Sequence, residues 1–260
     1  MEQIEVSGLT LDVGMVGDGP PLLFLHPEFF FDSHRSFIDR LSEHWRVITP
    51  RHPGFDGRTP PENFRTVDDL AYLYLDLIET LQLDKPLVVG ASFGGWIAME
   101  MAVRNAGCMR ALSLLSPLGV KLSSREERDF ADVFVMPVAD ALQCMFAGPG
   151  PDRNELDDES ATLLARDRKF VAYYAWKPWL HNPVLSRWLH RANVPTQLVW
   201  GAQDAFASAQ LAKPLAQCLP QSKLHLIDGA GHYPQLERCD EVVGLLRNLD
   251  AELVNGGASL

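Results

Sequence analysis

The chain has 260 residues and a formal net charge of −11, from 23 Lys plus Arg against 34 Asp plus Glu. Its 47% hydrophobic and 22% charged content is that of a globular chain, long enough to bury a large core without staples. The acidic balance, with no basic block, excludes nucleic acid and anionic membrane surfaces as natural partners. Cys108, Cys144, Cys218 and Cys239 form no C-x-x-C pair, so neither a zinc ribbon nor a dithiol redox site is expected. The start, Met1-Glu2-Gln3-Ile4-Glu5, is acidic and lacks an apolar stretch, and no run nears the roughly 18 apolar residues of a membrane span. The expectation is a cytoplasmic protein with free thiols, a monomer or homodimer, acting on a small molecule.

Ile4–Val6 and Leu9–Val16 read as a hairpin turned at Ser7-Gly8. Pro21–Leu25 is a short continuous apolar run, as in a strand buried on both faces. A helix over Ser33–Ser42 and a strand at Trp45–Thr49 follow. The turn-rich loop Pro50–Gly57 comes next. Thr66 is the N-cap of a helix carrying Leu70, Leu73, Leu77, Ile78 and Leu81 at helical spacing, with Asp68 and Asp69 in its first turn. Leu87–Val89, Phe93–Val103 and Ala111–Leu115 continue as strand, helix and strand. This alternation predicts an α/β fold: a mostly parallel sheet with helices on both faces.

Between about Lys121 and Arg191 the alternation stops. Helices are predicted over Ser124–Val135, Ala139–Phe146, Ser160–Trp176 and Val184–Arg191. The strand–helix rhythm then resumes with Thr196–Trp200, Ser208–Cys218, Lys223–Ile227 and Glu241–Val254. The expected domain organisation is a core of residues 1–120 and 191–260, with 121–190 as a helical cap, or lid.

Gly90-Ala91-Ser92-Phe93-Gly94 fits G-x-S-x-G. It follows a buried strand and opens a helix, the context that holds a nucleophile on a tight turn. A serine hydroxyl is a weak nucleophile at neutral pH, so it needs a base and the base needs a carboxylate. Sites of parallel sheets lie beyond the C-terminal ends of strands. The strand Thr196–Trp200 leads to Asp204, and Lys223–Ile227 leads to His232. Asp228 is nearer His232 in sequence but stands where a turn-making carboxylate is common, so Asp204 is favoured. The chain order Ser92, Asp204, His232 is that of the α/β-hydrolase triad.

An oxyanion hole would use the backbone N–H of Phe93 and one from the loop His26–Asp32. Pro27 has no N–H, so the backbone of Glu28 becomes the second donor, while its carboxylate is expected to be solvated or paired with Arg35 or Arg51. Possible pocket-lining residues are His26, Phe29, Phe30, Trp176 and Tyr233. No metal and no organic cofactor is required.

On these residues the chain resembles the α/β-hydrolase superfamily over nearly its whole length. The carriers are Leu25-His26, Pro53-Gly54-Phe55, Gly90 to Gly95, Val199 to Asp204 and Gly229 to Pro234. It looks most like the capped group that includes small-ester hydrolases and meta-cleavage-product C–C hydrolases. Relatives with a glycine after the early His differ from His26-Pro27 here, which leaves the second oxyanion donor open. Ser92 argues against the Asp-nucleophile dehalogenases and epoxide hydrolases of this fold. The resemblance implies a serine hydrolase of small apolar esters, with C–C hydrolysis, cofactor-free perhydrolysis or a non-catalytic small-molecule receptor as alternatives. A C–C hydrolase would need cations for a substrate carboxylate, for which Arg51, Arg166, Arg168, Lys169 and Lys177 are available.

Overall fold

The computed structural model describes residues 1–29, 31–124, 126–149 and 158–257. Eight strands form one sheet: β1 (Glu2–Val6), β2 (Leu9–Val16), β3 (Pro21–Leu25), β4 (Arg46–Pro50), β5 (Leu87–Ala91), β6 (Ala111–Leu115), β7 (Thr196–Gly201) and β8 (Ser222–Ile227). Their spatial order is β1-β2-β4-β3-β5-β6-β7-β8. The β1–β2 and β2–β4 pairs are antiparallel and the rest are parallel. From β3 the chain winds outward to β4, then crosses back to β5 on the other side of β3. The winding therefore reverses between β3 and β5, which is where open α/β sheets bind ligands.

The helices are α1 (Arg35–Ser42), α2 (Val67–Thr80), α3 (Phe93–Asn105), α4 (Val138–Met145), α5 (Asp158–Ala175), α6 (Leu185–Trp188), α7 (Ala212–Cys218), α8 (Pro234–Glu237) and α9 (Cys239–Gly257). Strand alternation sorts the apolar side chains onto two faces. Leu23, Leu25, Val88, Leu112, Leu114, Leu198 and Trp200 pack in a cluster with α2 and α3. Leu22, Phe24, Val47, Leu87, Val89, Leu115 and Val199 face the other way, against Phe37 and Leu41 of α1 and Val242 and Leu246 of α9. Each such Leu or Phe removed from water stabilises the fold by about 1.5–3 kcal/mol before entropy is counted. Thr66 caps α2 as expected: its hydroxyl accepts from Asp69 N–H, and the Asp69 carboxylate accepts from Thr66 N–H at 2.8 Å.

Between β6 and β7, three of the predicted helices form in shortened or shifted shape as α4, α5 and α6. The fourth does not. The described residues of 124–135 run through bends and turns, and Phe130 bridges to Ala207. Asp129 folds back on the segment before it: its carboxylate accepts from Leu122 N–H at 2.6 Å and Ser123 N–H at 3.2 Å, closing a side-chain-to-backbone turn there.

Two glycines set the close packing behind the strand ends. A Cβ on Gly94 would strike the carbonyl of Leu25, where β3 ends. A Cβ on Gly201 would strike the carbonyls of Ala230 and Gly231, in the loop that carries His232. We expect Gly201→Ala to cost about 1–3 kcal/mol or more, because both obstructing groups are backbone. Chemical denaturation measures it; a loss below about 0.5 kcal/mol would show that the loop gives way freely.

Candidate active site

Ser92 sits between β5 and α3 with φ 49° and ψ −110°, a conformation rarely taken by residues with a side chain. Three backbone bonds hold the bend. Ser92 N–H donates to Leu115 O at 2.9 Å, and Ser92 O accepts from Trp96 and Leu118 N–H, each at 3.1 Å. The strain is thus overdetermined by β6 and the first turn of α3.

Two loops from the far end of the sheet reach this serine. His232 Nε2 lies 2.6 Å from Ser92 Oγ, and His232 Nδ1 lies 2.7 Å from Asp204 Oδ2. All three residues are buried. Asp204 is fixed in turn. Oδ1 accepts from Phe206 and Ala207 N–H at 2.9 Å each, and Oδ2 accepts from Trp200 Nε1–H at 3.1 Å. Asp228, the sequence competitor, is exposed, and its carbonyl accepts from Arg238.

Burial alone would lower the His232 pKa. The charge and hydrogen bond of Asp204, joined by the charge of Glu28, outweigh it, and the imidazole titrates above its ordinary 6.5. Asp204 also selects the tautomer: Nδ1 carries the proton toward the carboxylate, leaving Nε2 to take one from the serine.

The His26–Asp32 loop brings a side chain where its backbone was expected. Glu28 is 1% exposed and pairs with neither Arg35 nor Arg51. Its Oε2 accepts from Phe93 N–H at 3.1 Å, its Oε1 accepts from Tyr233 O–H at 2.9 Å, and Oε1 lies 3.9 Å from His232 Nε2. Arg51 pairs instead with Asp32 at 2.8 Å and lies over the Phe31 ring.

His26 and His52 brace this loop from beneath. Their rings stack 3.7 Å apart. His52 N–H donates to His26 Nε2 at 3.0 Å, so His26 Nδ1–H faces Pro27 O at 2.6 Å. His52 Nε2 reaches His26 O at 2.9 Å, and its Nδ1 meets Tyr74 O–H at 2.5 Å. Burial lowers both pKa values, that of His52 to about 3, so the pair stays neutral.

The other expected lining residues are dispersed. Tyr233 is buried beside His232 with ring centroids 5.0 Å apart, and Phe29 is buried. Trp176 is 57% exposed and packs edge-on with Phe134 and Trp179. It walls a cleft of about 400 Å³ that none of Ser92, Asp204 and His232 lines. Phe30 lies outside the described residues. Of the five cations, Arg166 pairs with Asp167 at 3.6 Å, Arg168 donates to Val133 O at 3.2 Å, Lys169 lies over Phe170 and Lys177 is exposed. Among the described residues no group of three His, Cys, Asp or Glu could hold a metal ion, and no helix is long and apolar enough to cross a membrane.

A family model described as the alpha/beta hydrolase family matches residues 22–245. The chain belongs to the alpha/beta hydrolase family. The hydrolase is 25% identical over 268 residues to 2-hydroxymuconate semialdehyde hydrolase of Pseudomonas sp. (strain CF600), covering 96% of this chain and 93% of that protein. Its fold matches a meta-cleavage product hydrolase from Pseudomonas fluorescens IP01 with TM-score 0.78, at 20% identity, over 97% of this chain and 98% of that one. A thermophilic esterase from Thermogutta terrifontis matches with TM-score 0.77, at 20% identity, over 97% and 99% of the two chains.

Sequence reasoning missed several groups around the hydrolase's serine. Met145, at the end of α4, accepts from His232 N–H through its carbonyl at 2.8 Å, and Cys144 O accepts from Ala205 N–H at 3.3 Å. Glu237 of α8 accepts from Gly231 N–H at 2.7 Å and from Ala147 N–H at 2.9 Å, tying the His232 loop to the end of α4. The Phe206 ring meets the imidazole edge-on at 4.6 Å. Nothing in the one-dimensional pattern marks the contacts of Cys144, Met145 and Ala147, because they join segments about 60–90 residues apart.

Two titrations follow. An NMR titration of His232 is expected to show a midpoint above 6.5 that falls in Asp204→Asn; a native midpoint at or below 6.5 would contradict the pairing. On α5, burial raises the Asp167 pKa from 3.8 to about 7, against the opposing pull of Arg166 and Arg51. A carboxyl whose folded pKa is raised costs stability as pH climbs from its unfolded pKa through its folded one. Asp167→Asn is therefore expected to raise the melting temperature more at pH 8 than at pH 5. An equal or reversed effect would mean that the Arg partners outweigh desolvation.

Proposed function

We propose that the protein is a serine hydrolase that cleaves a small, largely apolar carboxylic ester through an acyl-enzyme. The observation that carries this is the single line of contacts from Asp204 through His232 to Ser92, with 2.7 and 2.6 Å links. In this mechanism His232 Nε2 takes the Ser92 proton as Oγ attacks the ester carbonyl. The resulting imidazolium is held by Asp204. It then protonates the leaving alkoxide as the tetrahedral intermediate collapses to acyl-Ser92. Water, deprotonated by His232, attacks the acyl carbon, and Ser92 regains its proton as the acid leaves. The N–H of Phe93, first in the positive end of α3, and the N–H of Glu28 are the proposed oxyanion donors.

An apolar, uncharged substrate fits the surroundings. Glu28 and Asp204 place two carboxylates beside His232, and all five cations considered for an anion are engaged elsewhere or exposed. Residues 121–190, threaded between β6 and β7 and hydrogen-bonded to both catalytic loops through Cys144 and Met145, are proposed as the lid over the site. A C–C hydrolase is the second reading, favoured by the 25% identity to 2-hydroxymuconate semialdehyde hydrolase over almost the full chain.

A panel of p-nitrophenyl esters of increasing acyl length, run beside one ring-fission diketone, separates the two readings. We expect turnover of short esters, falling on the order of 10⁶-fold in kcat in Ser92→Ala. Comparable turnover in Ser92→Ala contradicts the serine mechanism. Diketone cleavage in the absence of ester turnover favours the C–C reading.

A further inference from the structure

In the resting site, the hydrogen bond that an acyl oxygen would need is already taken. Catalytic N–H donors must stand about 2.7–3.1 Å from the developing oxyanion. Glu28 Oε2 occupies that place on Phe93 N–H, at 3.1 Å. Building on the serine-hydrolase reading, we propose that Glu28 is a specificity-determining plug: the substrate carbonyl must displace its carboxylate from Phe93 N–H before Ser92 can be acylated.

The surroundings say which part moves. The backbone under Glu28 is held by the stacked His26–His52 pair and by Pro27, whose ring fixes φ. The Glu28 side chain has three rotatable bonds and, among the described residues, two donors, Phe93 N–H and Tyr233 O–H. No Lys or Arg forms an ion pair with it among the described residues. Displacement breaks no covalent bond. The Phe93 N–H exchanges one acceptor for another, and the carboxylate keeps Tyr233 O–H.

The plug also sets the substrate class. A neutral acyl group can replace the carboxylate and restore the hydrogen bond. An acyl group carrying a negative charge next to the scissile carbonyl meets a displaced carboxylate at close range and is rejected. The site thus selects neutral acyl groups at a cost in rate, and removing the carboxylate should make the enzyme faster, the opposite of what removing a catalytic carboxylate does.

The test is kcat/KM for p-nitrophenyl acetate in the native enzyme, Glu28→Ala and Glu28→Gln, with melting temperatures recorded for each. Glu28→Ala is expected to raise kcat/KM on the order of 10-fold or more, the scale of one hydrogen bond to a charged group. Glu28→Gln, which keeps an acceptor oxygen without the charge, is expected to fall between native and Ala. Should Glu28→Ala fail to fold, a rise of more than about threefold in Glu28→Gln supports the plug. A fall in the folded variants of 10²–10³-fold, the scale of a lost oxyanion donor, overturns it, as does a change within about threefold. Labelling of Ser92 by a fluorophosphonate separates the two failures. Labelled Ser92 without acceleration sinks the plug alone. Absence of both labelling and turnover in every folded variant sinks the serine-hydrolase reading and the plug with it.

Discussion

The strained bend at Ser92 is the constraint on which the site depends. At φ 49° the serine is forced off the sheet and onto the first turn of α3, so its hydroxyl stands above the strand ends and the next N–H, that of Phe93, points the same way. The bend survives because β6 and α3 both bond to its backbone, and because Gly94 lets α3 close onto the end of β3. The serine hydroxyl and the N–H that holds the Glu28 carboxylate are therefore carried by one local structure. The loops after β7 and β8 then need only deliver a carboxylate and an imidazole to a fixed target.

Around that target the polar groups form two connected sets. One runs from Trp200, Phe206 and Ala207 through Asp204 and His232 to Ser92. The other runs from Tyr233 through Glu28 to Phe93 N–H. They meet where Glu28 and His232 lie 3.9 Å apart. Buried charges are tolerated only with such partners, and here each carboxylate has at least two donors. Beneath them the neutral His26–His52 stack supplies rigidity without adding charge.

Much of this was legible in the chain itself. The apolar runs and their alternation with helical spacing located the core strands within one or two residues, because buried parallel strands leave a continuous apolar signature. Ser92, Asp204 and His232 were legible because each follows a strand end, and the structure brings them together. The helix expected over 124–135 was not formed; the Asp129 carboxylate turns back onto Leu122 and Ser123 N–H, a side-chain-to-backbone contact that periodicity does not register. Glu28 was the larger surprise. A glutamate in a loop is ordinarily solvated, and the donors that draw it inward, Phe93 N–H and Tyr233 O–H, lie 65 and 205 residues further along the chain. The weight given to Trp176 as a pocket residue came from its aromatic neighbourhood, which the structure resolves into an exposed ring cluster with Phe134 and Trp179.

The proposed chemistry stands on one covalent event, the transfer of an acyl group to Ser92. Rapid quenching of the enzyme with an activated short-chain ester, followed by peptide mass spectrometry, tests that event directly. The account predicts a mass increment of one acyl group on the peptide that carries Ser92, formed before the steady state and lost on standing. Product release with no adduct on Ser92, or an adduct confined to another residue, would contradict it.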